Sequence, residues 1–111
     1  MVIVYSPKSK QIVCKDAIMC SSIWSKGRGL MVSKRKNLVF LFRKDIKAHL
    51  NMVFVFFPIH VIGLDKSKKV TEVGFIKPFR FWSSNKKVRY IIELSKPPYL
   101  VPGLGERIDF R

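Results

Sequence analysis

The chain has 111 residues, a length that suits one folded domain. Its 22 Lys and Arg residues outnumber 7 Asp and Glu residues, which gives a formal net charge of +15. Because 48% of the residues are hydrophobic, the composition argues against global disorder, which combines high net charge with low hydrophobicity. We therefore predict a single, strongly basic domain over residues 1–111, too small for a large multi-site enzyme.

Short apolar runs alternate with short, basic, turn-like runs along the chain. The predicted strands are 2–5, 11–19, 38–42, 59–64, 70–76, 79–82, 88–94 and 107–110. Many short strands, regular turns and almost no helical periodicity are typical of all-β domains. We expect a compact antiparallel β-sandwich or a partly closed, jelly-roll-like β-barrel, with one short helix.

Three segments between these strands need separate predictions. The short helix is predicted over 23–26, with Ser21 or Ser22 as its cap and a glycine after it. Residues 43–49 are predicted to form one helical turn or a loop. The run 52–57 is β-branched and aromatic, but Pro58 interrupts it because proline cannot donate to a central strand ladder.

The sequence contains little that indicates export, a membrane or a metal. The apolar start is only five residues long, and the stretch 50–64 is short of the roughly 20 residues that span a bilayer. Cys14 and Cys20 lie six positions apart, so on one strand both side chains would be on the same face. They would be roughly 20 Å apart, which is too far for a disulfide. We expect reduced thiols with no disulfide partner, no metal, no cofactor and a cytoplasmic location.

Several segments, in order, resemble a known family. They are Gly29-Leu30-Met31, the strand 38–42, the block Met52, Pro58 and Asp65, and Tyr90-Ile91-Ile92-Glu93-Leu94 followed by Gly105-Glu106. Over roughly residues 12–110 the chain is similar to the domain of unknown function 192 family of bacteria and archaea. The resemblance implies a small β-sandwich or barrel and no established activity.

The departures from the family motif affect its pocket. The motif reads roughly Trp-Met-Lys-Asn-Thr and then Pro-Leu-Asp. Here Met52 and Pro58 match, while Asn51, Phe54 and His60 replace the Trp, Asn and Asp. The resemblance therefore implies an altered pocket around Asn51, Met52, Phe54 and His60.

No residue pattern indicates catalysis. His49 and His60 each lie between apolar residues, and no neighbouring acid or nucleophile is apparent. The acidic residues are few and scattered. Asp65 is interpreted as a turn residue, and Glu93 is expected to pair with a nearby Lys or Arg. We predict that the protein is not an enzyme.

The basic residues carry the strongest functional signal, because nearly all of them fall in the turns between predicted strands. Cationic loops can bind phosphates, and rings beside them can stack on bases. Phe79 and Phe81 also flank the candidate site, although either ring could instead belong to the core. The candidate nucleic-acid-binding residues are Lys26, Arg28, Lys34, Arg35, Lys36, Arg43, Lys44, Lys68, Lys69, Arg80, Trp82, Lys86, Lys87 and Arg89.

We therefore predict a non-catalytic protein that binds the phosphate backbone of structured RNA. More specifically, we predict a ribosomal or ribosome-associated protein that contacts ribosomal RNA and neighbouring ribosomal proteins. Thermophilic adaptation alone does not explain the charge, because ion-pair networks need both signs and only three Glu are present, Glu72, Glu93 and Glu106. The alternative is a small-molecule- or protein-binding module that uses the altered pocket near Met52–His60.

Overall fold

A computed structural model gives the tertiary structure and describes residues 1–20, 36–52, 55–96, 98 and 100–111. The strands in this part of the chain are β1 (Val2–Tyr5), β2 (Ile12–Cys20), β3 (Asn37–Ile46), β4 (His49–Asn51), β5 (Ile59–Leu64), β6 (Val70–Ile76), β7 (Phe81–Ser83), β8 (Val88–Leu94) and β9 (Asp109–Phe110). The predicted bounds of β1, β5, β6 and β8 are confirmed to the residue. The predicted helix over 23–26 lies outside the described residues.

The prediction for residues 43–49 is wrong for most of this segment. Residues 43–46 are in a strand because β3 continues to Ile46, and Lys47 and Ala48 connect it to β4, which begins at His49. Pairing with β8 resumes at Ile46 after a bulge, so the polar residues of this stretch remain in a strand. Residues 55–58, where Pro58 was predicted to interrupt an apolar run, are not in a strand, and Val55 and Phe57 are buried in the core.

Seven strands of the described chain form one sheet in the order β6-β5-β8-β3-β2-β1-β9. Neighbouring strands run antiparallel, as predicted, except β2 and β3, which run parallel. A parallel pair cannot be joined by a tight hairpin. The chain between Cys20 and Asn37 provides the longer connection that this pair needs.

The sheet curls until its two edges meet at one end. The residues just before β9 bond to the residues that lead into β6: the Ile108 N–H donates to the Lys68 carbonyl at 2.9 Å, and the Val70 N–H donates to the Glu106 carbonyl at 2.9 Å. On its other side β9 pairs with β1. The all-β prediction is therefore confirmed, in the form of a partly closed barrel.

The curled sheet has an apolar cluster on each face. The inner cluster, inside the barrel, contains Val4, Val13, Cys14, Ala17, Val39, Ile62, Leu64, Val70, Ile92, Leu94 and Ile108. The outer cluster contains Leu38, Phe40, Phe42, Ala48, Met52, Val55, Phe57, Ile59, Val61, Ile76, Val88 and Ile91. Because both faces are covered, residues 61–64 of β5 and 91–94 of β8 are buried without interruption.

A bulge in β2 places the two cysteines on different faces. Val2 pairs with Ala17 and Val4 pairs with Cys14, so β2 carries one more residue than β1 between these pairs. The extra residue lets both Cys14 and Ala17 face the inner cluster, whereas Cys20 packs against the outer cluster. The prediction that both thiols share one side is wrong for this reason.

A two-stranded ribbon of β4 and β7 covers part of the outer face. Leu50 and Trp82, which are opposite each other in this ribbon, both pack against the outer cluster. The indole of Trp82 lies so close to Gly74 that a Cβ on that glycine would be 3.0 Å from Nε1. The absence of a side chain at Gly74 thus allows β7 to approach the sheet.

Candidate nucleic-acid interface

Two segments of the predicted RNA site come together at one end of the barrel. They are the β3–β4 region and the turn between β7 and β8, which are joined where Ile46 pairs with Val88. The Ser84 N–H donates to the Ala48 carbonyl and the Ala48 N–H donates to Ser84 Oγ, both at 2.9 Å. We call the exposed cations at this place the basic end: Arg43, Lys44, Lys47, Lys86 and Lys87.

The acidic residues nearest to the basic end have other partners. Asp45 accepts a hydrogen bond from Arg89 Nε at 3.0 Å, so the charge of Arg89 is balanced. The Glu72 carboxylate accepts the backbone N–H groups of Asn85 at 2.6 Å and Lys86 at 3.2 Å. No ion pair within the described ranges involves a cation of the basic end, so these five charges face solvent.

The β5–β6 hairpin adds further cations, but Lys68 has a structural role. Asp65 Oδ1 accepts the backbone N–H groups of Ser67 and Lys69, which confirms Asp65 as a turn residue. Lys68 Nζ donates to Asp109 at 2.8 Å, and this bond is the main reason that the pKa of Asp109 is lowered. Lys68 thus ties the hairpin to β9, whereas Lys69 is exposed.

The remaining predicted RNA-binding residues are dispersed. Lys36 and Arg80 are exposed, but they lie towards the end of the barrel opposite the basic end. Trp82 is partly buried and packs on the outer cluster, because burial of its apolar surface draws the indole onto the sheet. Its role in base stacking stays a prediction. Lys26, Arg28, Lys34 and Arg35 lie outside the described residues.

Exposed aromatic side chains lie near Arg80. The exposed fractions of Phe56, Phe79 and Phe81 are 64%, 51% and 74%. The sequence predicts Phe79 and Phe81 near the site, but it does not single out Phe56. The exposure of Phe56 between buried Val55 and Phe57 follows an alternation that a uniformly apolar run hides.

Two residues of the alternative pocket, Met52 and His60, lie on opposite faces of the sheet. Met52 is buried in the outer cluster. His60 alternates with Ile59 and Val61 and therefore faces the opposite side of the sheet, where its ring lies 4.8 Å from that of Phe75. The sheet therefore separates Met52 from His60. Phe54 and the side chain of Asn51 lie outside the described part of the chain.

A buried carboxyl group lies on the outer face of the sheet. Glu93 pairs across the strands with Leu38 and Val61, and only 4% of its surface is exposed. Among the described residues Oε2 has no hydrogen-bond partner, so the expected pairing with Lys or Arg is wrong. Burial raises the pKa of Glu93 to about 8, because a charged carboxylate loses its hydration there.

Three further observations concern cavities, metals and membranes. A shallow groove of about 400 Å³ is lined by Lys10, Gln11, Ile12, Lys15 and Leu100, outside the predicted sites. Three or more His, Cys, Asp or Glu side chains do not cluster anywhere in the described residues. The described residues also include no helix with the length and apolar character needed to span a membrane.

Two sequence relatives are UPF0127 proteins of the genus Thermococcus. The protein from Thermococcus sibiricus is 31% identical over 98 residues, which covers 83% of this chain and 64% of the relative. The protein from Thermococcus kodakarensis is 37% identical over 70 residues, which covers 60% of this chain and 45% of the relative. The chain thus spans less than two thirds of the length of either relative. No family model matches it.

Solved structures share the fold at low sequence identity. A Sinorhizobium meliloti protein described as a "putative transcription regulator" superposes with a TM-score of 0.79, covers 98% of this chain and is 14% identical. For that match the chain covers 91% of the other protein. A Novosphingobium aromaticivorans protein of unknown function gives a TM-score of 0.75 at 13% identity, with coverage of 97% and 82%. The chain is therefore similar in sequence to UPF0127 proteins and has the fold of these two structures.

Proposed function

We propose that this chain is a non-catalytic, cytoplasmic RNA-binding protein that contacts the phosphate backbone through the basic end. More specifically, we propose that the protein associates with the ribosome. The observation that carries the proposal is the convergence of Arg43, Lys44, Lys47, Lys86 and Lys87 from two chain segments, with the nearby carboxylates already bonded. Binding of phosphates there releases condensed counterions, which favours association.

Two further observations support a nucleic-acid partner. The net charge of +15 exceeds the magnitude of about 2–8 that is usual for a small domain. One structural neighbour carries a name that refers to transcription regulation, which is also a nucleic-acid function. The separation of Met52 from His60 gives the alternative small-molecule pocket no comparable support.

The proposal is tested by filter binding of a structured RNA between about 50 and 500 mM salt. The double variant K86Q/K87Q should weaken binding for all sequences and reduce the salt slope by about one for each phosphate that is no longer neutralised. The matched control is K8Q/K10Q, which removes the same charge from the β1–β2 turn at the other end of β3.

Three results would contradict the proposal. The first is no RNA affinity at low salt, and the second is a salt slope near zero. The third is an equal loss of affinity in K8Q/K10Q and K86Q/K87Q, which would show that total charge matters and that the basic end does not. Co-sedimentation with ribosomal particles from a lysate at low and high salt tests the ribosomal form separately.

A further inference from the structure

Three phenylalanine rings are exposed on the surface, although large apolar side chains are usually buried. We call Phe56, Phe79 and Phe81 the aromatic platform, and each is at least half exposed. The rings of Phe56 and Phe79 meet edge to face, with centroids 5.3 Å apart and planes at 78°. Phe81 follows two positions later in β7 and is 74% exposed. Two exposed rings in contact, with a third exposed ring two positions along the chain, are typical of a binding surface.

The backbone that carries the platform is anchored to the core at Met52. The Phe79 N–H donates to the Met52 carbonyl at 3.0 Å, and the Met52 N–H donates to the Arg80 carbonyl at 2.8 Å. The Val55 N–H also donates to the Met52 carbonyl, at 3.0 Å. Met52 itself is only 2% exposed. Both segments of the platform are thus fixed to one buried residue, so the backbone that carries the rings is anchored to the core.

Phe79 adopts a backbone conformation that is unfavourable for a bulky residue. Its φ of 62° lies in the left-handed region, where the Cβ crowds the neighbouring carbonyl. The side chain that this strained position presents remains half exposed, so burial of the ring does not explain the conformation. Lys10 and Lys68 have nearly the same φ in other turns, so the conformation belongs to the turn at residues 78–79, which presents the Phe79 ring to solvent.

The charges around the platform match a polyanion. Arg80 lies between Phe79 and Phe81, Lys77 lies two positions before Phe79, and both cations are exposed. The segments 46–64 and 73–92, which carry the platform, contain no Asp or Glu. An anionic ligand on these rings therefore finds cations on its flanks and no acidic residue in the segments beneath it.

We propose that the aromatic platform binds unpaired bases of single-stranded RNA by stacking, while Arg80 and Lys77 contact the adjoining phosphates. Unpaired bases offer their faces to rings, whereas the bases of a duplex are stacked on each other. The inference rests on the proposed function and extends it: the basic end holds structured RNA, and the platform, towards the other end of the barrel, holds an unpaired segment of the same RNA.

The test compares two labelled oligonucleotides of equal length and charge, a single-stranded RNA and its abasic counterpart, by fluorescence anisotropy. The base-containing strand should bind more tightly. F79L and F81L should each weaken its binding by about 5- to 100-fold and leave the abasic strand unchanged. F75L is the matched control, because Phe75 is also exposed, at 57%, but faces the other side of the sheet, beside His60.

The outcomes separate this inference from the proposed function. Equal binding of both strands, with no effect of F79L or F81L, would contradict base stacking on the platform but would not contradict RNA binding by the basic end. No binding of either strand, together with no binding of structured RNA, overturns the proposed function. If F79L and F81L weaken binding to phosphatidylserine vesicles and leave RNA binding unchanged, the platform is a membrane-binding surface and the inference is wrong.

Discussion

At the scale of single residues, Glu93 has the most perturbed environment among the described residues. Its carboxyl group faces Leu38 and Val61 in the outer cluster, and burial raises its pKa to about 8 from an ordinary value of 4.5. The neutral form therefore predominates in the folded protein at neutral pH. In the unfolded chain the same group ionises at ordinary acidic pH, so folding and ionisation of Glu93 oppose each other.

The resulting pH dependence has a definite sign. The contribution of protonated Glu93 to stability is fully present below pH 4.5 and is lost as the pH rises towards 8. E93Q should abolish this loss. The free energy of unfolding of the variant should therefore exceed that of the wild type, by an amount that grows as the pH rises from 4.5 towards 8. Urea denaturation at a series of pH values measures the difference.

E72Q is the control for Glu93, because Glu72 is half-buried and its carboxylate accepts two backbone N–H groups. It should lower stability and should not reproduce the pH-dependent gain. A constant difference between E93Q and wild type at every pH would show that folding leaves the pKa of Glu93 unchanged, contrary to the raised pKa expected from burial.

At the scale of elements, closure of the barrel depends on the segment 105–111. This segment bonds to the entrance of β6 and to β1, and Lys68 adds the ion pair with Asp109. Ile108 from the same segment is fully buried in the inner cluster. Although β9 has only two residues, it closes the sheet because the side chain of Ile108, directly before it, fills the interior of the barrel.

I108A should destabilise the fold by about 2–5 kcal/mol, since it removes buried methyl groups and leaves a cavity. Chemical denaturation gives this free energy directly. The control is L104A, four positions earlier, where the side chain is 72% exposed and the expected change is within about 0.5 kcal/mol. A similar cost for both substitutions would mean that Ile108 does not anchor the closure.

Strands were predicted accurately where an apolar run is bounded by typical turn residues. β5 and β6 are apolar runs joined by Asp65-Lys66-Ser67-Lys68, and their predicted bounds agree to the residue. Residues 43–46 are hard to predict as a strand because the polar residues among them face solvent, and pairing with β8 resumes only at Ile46. The platform residue Phe56 escapes prediction because no local signal separates an exposed ring from a buried one in a uniformly apolar run.

At the scale of the whole molecule, the charge of +15 is held in a body with a radius of gyration of 12.6 Å. At about 0.01 M salt the Debye length is about 30 Å, so every cation repels the others across the domain. At about 1 M salt it falls to about 3 Å. Self-repulsion opposes the compact state until salt or a polyanion screens it.

The midpoint of thermal unfolding should therefore rise as NaCl is added at fixed pH, which differential scanning calorimetry measures. The charge-reduced variant K8E/K66E, changed at two exposed turn positions, should show a smaller rise. An unchanged or falling midpoint in the wild type would mean that ion pairs such as Lys96–Asp16 outweigh the repulsion between like charges.

The sequence by itself determined the all-β class, the basic character and the strands whose turns are explicit, because periodicity, turn chemistry and charge are local properties. Only the tertiary structure decided the parallel β2–β3 pair and the joining of the β3–β4 region to the turn between β7 and β8. It also separated Met52 from His60 and left Glu93 without a charged partner among the described residues. These features depend on the curl of the sheet and on bulges that reverse the facing of side chains, which contacts between distant segments determine.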